Sequence, residues 1–426
     1  MAKLCLYFQL HQPYRLRPYS IFNLNTEADY FATSKHDDDN RKIFHKVAHK
    51  SYLPMLQLLL DLTKRHPELH FAMSCSGVFL EQAEEYEPKV IELIQKLVET
   101  DQVELLAETY YHSLASLYSP EEFREQVDLH ADYLAELFDY EPTVFRNTEL
   151  IYSNDVAAQV QELGFVGMLT EAVDRYLHGR HRTQVFRSHT EQALPLLLKH
   201  AQLSDDIAFR FSDKNWQEHP LTSEKYVHWL NTYYPDEYIN LFMDFETFGE
   251  HQWHDTGIFN FFRHMVEKSL HQGHEFVLPS TVLTPYHEHP KTMDTLEVYD
   301  VPEPISWADV DRDLTAWRGN TLQNDTLRLI YSLEEEVRKA ENDALIDYWR
   351  RLQTSDHFYY MCVKWSADGD VHKYFSPYDS PFEAYNRYTT VLTDFRDRLN
   401  DILRVVTEKQ KQTHTQPSAD PQTLER

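Results

Sequence analysis

Cysteine is scarce in this chain of 426 residues, which contains only Cys5, Cys75 and Cys362. The three are widely spaced, odd in number and include no Cys-x-x-Cys pair. Such a set argues against a disulfide framework and against a cysteine-based metal site, and it is typical of buried free thiols in a reducing compartment. We therefore expect a cytoplasmic protein.

Long hydrophobic runs are missing as well. No stretch approaches the ~20 consecutive apolar residues that a membrane-spanning helix requires. The apolar run over residues 4–10 is too short for the core of a signal peptide, and no small-residue cleavage site follows it. We expect neither a membrane partner nor a secretory leader.

Positive charge is the scarcer sign: 41 Lys and Arg stand against 69 Asp and Glu, which gives a formal net charge of −28. This excess repels phosphates, so it excludes nucleic acid as a partner and disfavours anionic membrane surfaces and acidic polysaccharides. A neutral ligand meets no such repulsion.

Aromatic residues, in contrast, are abundant, with 27 Tyr, 24 Phe and 7 Trp making up 14% of the chain. Part of this excess must pack a core, and the remainder offers flat surfaces on which the apolar faces of sugar rings stack. The length is sufficient for a barrel of roughly 250 residues plus a second region.

Short apolar runs alternate with helical patterns over the first 290 residues. The predicted strands cover residues 4–10, 69–74, 103–107, 143–146, 165–169, 207–211, 238–245 and 276–278. Strand–helix alternation of this kind predicts a parallel sheet with crossover helices. The pattern leaves open whether the sheet has seven or eight strands.

Polar side chains recur directly after these strands, and they favour a barrel over an open sheet. They are His11, Ser76, Glu108, Glu149, Glu171 and Asp244. In an α/β barrel, catalytic groups gather at the carboxyl ends of several strands. The glycine-rich first turn of a dinucleotide-binding fold is absent, since His11, Gln12 and Pro13 follow the first strand. We therefore predict a barrel over residues 1–290, a helical region over 291–408 that completes the cleft, and a disordered tail over 409–426.

The stretch from Met243 to Trp253 is the most informative in the sequence. It continues a buried strand into several acids and aromatic residues. Because side chains alternate along a strand, Asp244 and Glu246 are predicted to share one face. The alternative is a surface turn with scattered acids. Paired carboxylates beside aromatic rings suit acid/base chemistry on a sugar better.

Hydrolysis of a glycosidic bond commonly needs two carboxyl groups on either side of the anomeric carbon. The candidates at strand ends are Glu108, Glu149, Glu171, Asp244 and Glu246. Arg146, three residues before Glu149, would hold that carboxylate ionised if the two lie close together. A purely structural Arg–Glu pair is equally compatible with the sequence.

Side chains near these carboxylates are candidates for binding sugar hydroxyls, although a satisfied structural histidine or simple helix packing is the alternative for several of them. The predicted substrate-binding residues are His11, Gln12, Glu246, His251, Trp253, Asp356 and His357. The chain has 24 histidines, but no His-x-x-x-His or His-x-Asp pattern follows a predicted strand. We therefore expect no metal and no cofactor.

Taken together, these stretches resemble glycoside hydrolase family 57, the α-amylase and 4-α-glucanotransferase family. The segments that carry the resemblance cover residues 11–13, 76–81, 146–149, 243–251 and 345–360, in the family's order. The resemblance implies an incomplete, TIM-like (β/α)7 barrel followed by a helical region. It also implies Glu149 as nucleophile, Asp244 as proton donor and no required metal.

The expected function is therefore retaining hydrolysis of α-1,4-glucans through a glycosyl-enzyme intermediate. The alternatives are a 4-α-glucanotransferase with the same site, a non-catalytic α-glucan-binding protein, or a metal-dependent deacetylase or mannosidase on a related barrel. For the acid to hold its proton, we expect the charges of Glu149 and Glu246 to raise the pKa of Asp244.

Overall fold

The computed structural model describes residues 1–26, 29–31, 40–234, 237–308, 310–364 and 376–414, with side chains described as far as residue 408. The strands in this part of the chain are β1 (Lys3–Leu10), β2 (Phe71–Cys75), β3 (Val103–Leu105), β4 (Val144–Arg146), β5 (Gly167–Thr170), β6 (Val185–Ser188), β7 (Pro195–Leu198), β8 (Tyr238–Asp244), β9 (Glu275–Phe276) and β10 (Glu297–Tyr299).

Seven parallel strands form the wall of the barrel. One sheet has the order β3-β2-β1-β8, and the other contains β7-β5-β4. The first junction between them is a parallel bridge from Ala107 to Phe145, where β3 meets β4. At the second, beside β7 and β8, the backbone N–H of His200 donates to the carbonyl of Asn240 at 2.8 Å. This arrangement confirms the predicted seven-stranded α/β barrel.

The other three strands lie outside the ring. The antiparallel strand β6 pairs with β7 and carries β10 on its far side. The short β9 pairs with the start of β1. Because β6 occupies the edge of β7, the β7–β8 junction depends on few contacts, and one of them is a side chain: the Asn240 Nδ2 donates to the carbonyl of Leu198 at 2.8 Å.

The helices alternate with the strands and then dominate the chain after β10. In the described residues they are α1 (Asn40–Val47), α2 (Leu53–Arg65), α3 (Gly77–Tyr86), α4 (Pro88–Val98), α5 (Pro120–Phe138), α6 (Asn154–Glu162), α7 (Asp174–Leu177), α8 (Ala201–Ala208), α9 (Ser223–Tyr233), α10 (Ile258–His271), α11 (Pro279–Glu288), α12 (Pro290–Met293), α13 (Thr315–Arg318), α14 (Thr321–Ser332), α15 (Glu334–Lys339), α16 (Asp343–Arg351), α17 (Ser355–Tyr359) and α18 (Pro381–His414). Helix α18 continues past position 409, where the tail is predicted, and residues 415–426 lie outside the described residues.

The barrel interior is packed by fully buried side chains from six of its seven strands. They are Tyr7, Ala72, Val144, Leu169, Leu197 and Phe242. The rings of Tyr7 and Phe242 meet edge to face, with centroids 5.6 Å apart. Layers of side chains contributed by successive strands fill an α/β barrel so that it is a core and not a pore. The site must therefore lie at an end of this barrel.

The C-terminal helices are fixed to the barrel through α5. Glu122 on that helix is fully buried. It accepts a hydrogen bond of 2.9 Å from the Nε of Arg350 and one of 3.1 Å from the Nη2 of Arg338. A buried carboxylate requires such charged donors, since burial without them is costly. The two arginines, on α15 and α16, thus hold the helical region against the barrel.

A second contact brings α17 to the mouth of the barrel. The hydroxyl of Thr354 donates to the carbonyl of Tyr111 at 2.9 Å, and the N–H of Ser355 donates to the carbonyl of His112 at 3.0 Å. Tyr111 and His112 belong to the loop that follows β3. Asp356, the next residue of α17, consequently lies over the ends of the barrel strands.

One predicted strand is wrong, and one barrel strand was missed. Residues 207–211 are the end of α8 and the turn after it, and the missing strand is β7. Short apolar runs fit a helix and a strand equally well, and the i,i+4 pair Leu203 and Ile207 is buried on one face of α8. β7 begins at Pro195, a residue that is rare within strands but tolerated at the first position of one.

None of the helices in the described part of the chain is both long enough and apolar enough to cross a membrane.

Candidate active site

Two cavities open at the carboxyl ends of the barrel strands and share one wall. Their volumes are about 160 and 370 Å³. Both are lined by Glu149, Asp244, His251, Trp307 and Tyr359. The two carboxylates chosen from the sequence therefore lie where the cavities join, with space for a ligand on each side.

Glu149 lies in a tight turn directly after β4. The turn spans Thr148–Leu150, and Glu149 and Leu150 both have positive φ, 56° and 50°. Non-glycine residues in this region carry strain of order 1–3 kcal/mol, and such strain is concentrated at functional sites. The backbone carbonyl of Glu149 accepts from the N–H of Trp307 at 3.2 Å, which holds the turn in place.

The carboxylate of Glu149 contacts two hydrogen-bonding groups. Its Oε2 accepts from the indole Nε1 of Trp307 at 2.7 Å, and its Oε1 lies 3.3 Å from the Nε2 of His112. Burial alone would raise the pKa of Glu149, but these bonds and the charges of His112 and Arg146 lower it below its ordinary value. Glu149 is thus ionised at neutral pH.

His112 carries a proton in this site. Burial opposes the charged form, but hydrogen bonds to Glu108 and Glu149 outweigh it and raise the pKa of His112 to about 9. The Nδ1 of His112 lies 2.9 Å from Glu108 Oε2. His112 is therefore an imidazolium that bridges a buried carboxylate and the one in the cavity.

Glu108 stabilises this arrangement from inside the barrel. It is fully buried, and its Oε2 lies 3.5 Å from Nη1 of Arg146. Although burial raises its pKa, the hydrogen bond from His112 and the charge of Arg146 hold the pKa at about 2. Among the described lining residues of the two cavities Glu108 does not occur. Glu108 is a buried counter-ion that forms an ion pair with Arg146. The charge of Arg146 also acts on Glu149.

Asp244, the last residue of β8, has its pKa shifted in the opposite direction from that of Glu149. Burial and the charge of Glu149 raise the pKa of Asp244 to about 6, against the opposing charges of Arg146, Lys199 and His112. A carboxyl group with a lowered pKa and one that keeps its proton up to about pH 6 thus face the same space. Two carboxyls whose environments separate their pKa values are the arrangement that assigns a base and an acid.

Glu246 lies beyond the strand, so the expectation of a shared strand face is wrong. β8 ends at Asp244, and the chain turns over Phe245–Thr247. This turn brings Glu246 to the hydroxyl of Tyr52, from which it accepts a hydrogen bond. Burial and the charge of Asp244 raise the pKa of Glu246 to about 8.

The expected effect of Glu246 on Asp244 is also wrong. Glu246, with a pKa of about 8, still holds its proton when Asp244 ionises near pH 6. It carries no charge at that pH that could raise the pKa of Asp244. The coupling between the two groups is mutual, but Asp244 ionises first, so its charge opposes the later ionisation of Glu246.

His11 links the first strand to the helical region. Its Nε2 lies 3.0 Å from Oδ2 of Asp356, and its Nδ1 lies 2.7 Å from the hydroxyl of Ser76. The ring stacks on His112 with centroids 3.9 Å apart. Burial and the charge of His112 lower the pKa of His11, so it is the neutral member of the stacked pair. His11 and Asp356 both line the smaller cavity.

The structure separates the remaining predicted binding residues into two groups. Gln12 lines the smaller cavity and accepts from Nη2 of Arg15 at 3.2 Å, and His251 lines both cavities. Trp253 is 54% exposed, lies under the ammonium of Lys50, and is not among the described residues that line either cavity.

His357 points away from the cavities. It is buried within the helical region, where its Nε2 lies 3.2 Å from the carbonyl of Arg351 and its ring contacts Tyr388. Adjacent residues on a helix face different directions, so Asp356 reaches the cavity while its neighbour packs inside. The expectation that both residues face the cleft is wrong for His357.

Several residues that line the cavities were not among the site residues predicted from the sequence. They are Arg15, His112, Lys199, Trp307, Trp317, Tyr359 and Tyr360. Trp307 stands two residues before Asp309 in the sequence, as an aromatic–acid pair, and His112 stands four residues after Glu108, so a weak local signal existed for both. Their importance depends on contacts between distant segments.

No group with metal-ligand spacing lines the cavities in the described part of the chain. A group with such spacing does occur elsewhere among the described residues. It consists of His45, His49 and Glu87 and lies outside both cavities. A carboxylate with a lowered pKa and a carboxyl group with a raised pKa suit the cleavage of a bond between them.

The amino-acid sequence of the chain is similar to those of known proteins. Residues 5–301 match the model of glycosyl hydrolase family 57. The chain is 38% identical over 416 residues to a putative α-amylase of Methanocaldococcus jannaschii, covering 93% of this chain and 84% of that protein. It is 24% identical over 122 residues to a 4-α-glucanotransferase of Thermococcus litoralis, covering 29% of this chain and 18% of that protein.

Solved structures share the fold at low sequence identity. A family 57 branching enzyme of Thermococcus kodakaraensis aligns with a TM-score of 0.67 and 13% identity, over 96% of this chain and 94% of that one. The α-amylase AmyC of Thermotoga maritima aligns with a TM-score of 0.59 and 12% identity, over 95% and 96%. At these identities the similarity establishes a common architecture.

Proposed function

The chain belongs to glycosyl hydrolase family 57, and we propose that it hydrolyses α-1,4-glucans with retention of configuration, as an α-amylase does. One observation carries the proposal. Glu149 is held ionised while Asp244, at the junction of the same two cavities, keeps its proton to about pH 6. A retaining glycosidase requires such a pair.

The first step uses both groups at once. The carboxylate of Glu149 attacks the anomeric carbon and forms a glycosyl ester, while the bond from that carbon to the glycosidic oxygen breaks. Asp244 gives its proton to the departing oxygen, so the leaving sugar departs as an alcohol. The imidazolium of His112 and the indole of Trp307 orient the carboxylate for attack.

The second step reverses the role of Asp244. Once Glu149 is esterified, the charge that raised the pKa of Asp244 is gone, so the pKa of Asp244 falls and the group stays ionised, as a general base must be. A water molecule then attacks the anomeric carbon, gives its proton to Asp244 and releases Glu149. The arrangement is thereby restored for the next cycle.

The cavities on the two sides of the carboxyl pair would bind successive sugar residues. On the smaller side, the polar groups of His11, Gln12 and Asp356 are proposed to bind hydroxyls. His251 borders both cavities and is proposed to contact the sugars next to the scissile bond. Glu246, protonated at neutral pH, would donate a hydrogen bond to the substrate or orient Gln12.

A 4-α-glucanotransferase activity is the second candidate, and the larger cavity favours it. That cavity extends past the carboxyl pair to Phe209, which is 47% exposed and parallel to the ring of His251. An exposed aromatic ring beside the site is a surface on which an acceptor sugar stacks. The acceptor would compete with water for the glycosyl-enzyme.

Chain-length analysis of the products from maltoheptaose distinguishes the two activities. A hydrolase gives only oligosaccharides shorter than maltoheptaose, with one new reducing end for each bond that it cleaves. A transferase gives products longer than maltoheptaose with little change in reducing ends. A chain that does neither, and yet binds the oligosaccharide, would be a non-catalytic glucan-binding protein and would contradict the proposal.

We also propose that the protein works in the cytoplasm. All three cysteines are buried, and Cys5 and Cys75 are free thiols, which is the expected state of thiols in a reducing compartment. The net charge of −28 supports a neutral substrate over a nucleic acid or an anionic membrane.

A further inference from the structure

A cluster of two histidines and a carboxylate lies on the outside of the barrel, away from the two cavities. His45 is on α1, and His49 is one turn later in a π-helical segment, Ala48–Tyr52. Glu87 is the residue between α3 and α4. His45 and Glu87 are 42 positions apart in the chain, and they meet because α1 packs beside the α3–α4 junction.

The ligand atoms have the spacing of a metal site. Oε2 of Glu87 lies 3.3 Å from Nδ1 of His45 and 3.4 Å from Nε2 of His49. All three ligand atoms lie within 4.8 Å of one another. Zinc binds imidazole nitrogen at about 2.0–2.1 Å in tetrahedral geometry, so two of its ligands are separated by about 3.4 Å. Both measured distances to the carboxylate agree with that separation.

We propose that His45, His49 and Glu87 bind one divalent transition-metal ion of the zinc type, with water in the fourth position. Two imidazoles and a carboxylate form a donor set that suits zinc, while calcium and magnesium prefer oxygen ligands. The side chains are 39%, 67% and 19% exposed, so an ion has a direct path to the site. The net charge of −28 also favours cation binding.

The segment that carries the two histidines also supports the loop after β8. Lys46 and Lys50, from the same turns, lie 3.4 and 3.2 Å from the buried carboxylate of Glu250. Ser51 donates to the carbonyl of Phe245 at 3.3 Å. An ion bound to His45, His49 and Glu87 would therefore link this segment to the α3–α4 junction. The opposite side of the segment already contacts the loop after Asp244.

The inferred role is structural, and it does not depend on the proposed glucan activity. The ion has no place in the cavities, since none of its three ligands lines them. An ion that binds the folded chain more tightly than the unfolded chain raises its thermal stability. Zinc should then raise the melting temperature of the protein even in a variant without catalytic carboxylates.

The test uses the full-length protein, freed of metal with a chelator and titrated with zinc chloride in a calorimeter. Because the chain has 24 histidines, the measurement compares variants and does not rely on binding alone. The informative changes are His49→Ala and Glu87→Gln. The control is His264→Ala, which removes an exposed histidine from α10.

The wild type and the control should bind one equivalent of zinc in their tightest phase. Each of the two ligand variants should bind it roughly 10-fold more weakly or worse, since even outer contacts of a metal site are worth 10- to 100-fold. Zinc should raise the melting temperature of the wild type and the control only, and calcium and magnesium should not raise it. His49 is largely exposed, so its variant is expected to fold, which circular dichroism checks.

Equal zinc affinity in His49→Ala, Glu87→Gln and the wild type would overturn the proposal, because the metal would then sit on other histidines. The absence of zinc binding to the wild type would overturn it as well. Tight zinc binding without a change in melting temperature would contradict the inferred structural role, in which the ion stabilises this segment.

Discussion

The indole of Trp307 donates a hydrogen bond of 2.7 Å to the carboxylate of Glu149, across 158 positions of sequence. The backbone N–H of Trp307 also donates to the carbonyl of Glu149. Trp307, which follows β10, thus fixes both the backbone turn and the ionised state of Glu149, which follows β4. The helical region is preceded by a loop that belongs to the site itself.

Replacing Trp307 by Phe should move the acidic limb of the pH–activity profile to higher pH. The indole bond favours the ionised form of Glu149, so its loss raises the pKa of that carboxyl. A hydrogen bond to a charged group is worth about 1.5–3 kcal/mol, which corresponds to a shift of about one unit or more. The measurement is kcat/KM against pH, with Trp253→Phe as the control. An unmoved limb would mean that the bond is not made in solution.

The two carboxyls should respond differently to substitution. Glu149→Ala should abolish turnover of every α-glucan, and azide or formate should restore part of it by filling the vacated position. Asp244→Asn should reduce starch hydrolysis by about 10²–10⁴. It should spare glycosides with activated leaving groups, which need little protonation. Reversed behaviour of the two variants in these assays would exchange the proposed roles.

Glu246→Gln should leave the basic limb of kcat/KM near pH 6. Asp244 has a pKa of about 6, whereas Glu246 stays protonated to about 8 and carries no charge when Asp244 titrates. Removing the carboxyl therefore removes no negative charge in that range. Activity should change by no more than a few fold, because the amide oxygen of glutamine still accepts the hydrogen bond from Tyr52. A downward shift of the limb by a full unit would show that Glu246 is ionised there.

His112→Asn should destabilise the protein in a pH-dependent way. Asparagine suits the positive φ of 50° at this position, so the backbone is retained. The loss of the cation leaves two carboxylates without their partner, at a cost of about 3–5 kcal/mol. The pKa of His112 is raised to about 9 from 6.5. Its stabilisation is thus complete below pH 6.5 and is lost as the pH rises through 9.

Denaturant unfolding of the wild type and of His112→Asn at several pH values measures this difference. The difference in unfolding free energy should be largest at or below pH 6.5 and should shrink toward pH 9. A difference that grows with pH would contradict the assignment of an imidazolium.

Gly249→Ala should destabilise the loop after β8 more than a strained φ alone explains. Its φ is 110°, and a Cβ there would lie 1.9 Å from the carbonyl oxygen of Lys50. Gly164 is the matched control, because its φ is 85° and a Cβ would meet nothing within 4 Å. We expect about 1–2 kcal/mol for Gly164→Ala from conformation alone and a larger loss for Gly249→Ala. Equal changes in melting temperature would argue against close packing of the two segments.

Local patterns were enough to predict most of the barrel. Period-two and continuous apolar runs gave β1 and β8 within one or two residues, and the polar residues after β4 and β8 proved to lie in the shared wall of the cavities. The reason is that burial of a strand requires apolar residues locally, and the end of a parallel strand is local too.

The rest depended on contacts that no local pattern carries. The strand rule failed for Glu246 because a turn begins at Phe245, directly after the strand. A lowered pKa for Glu149 and a raised pKa for Asp244 were expected, but the parts that His112 and Trp307 play could not be predicted. These two residues converge on Glu149 from separate segments of the chain. His357 was misplaced for the related reason that the packing partners of its helix, and not its sequence neighbour Asp356, decide its direction.

The junction between β7 and β8 has a consequence for how the barrel moves. There the wall depends on the bond from His200 to Asn240 and on the amide side chain of Asn240, instead of a continuous ladder. Amide protons at this junction should exchange with deuterium sooner than those of the β1–β8 ladder, because opening it breaks fewer bonds. The wall would then open first next to the larger cavity, which Lys199 and Phe242 line beside this junction, while the β1–β8 ladder stays closed.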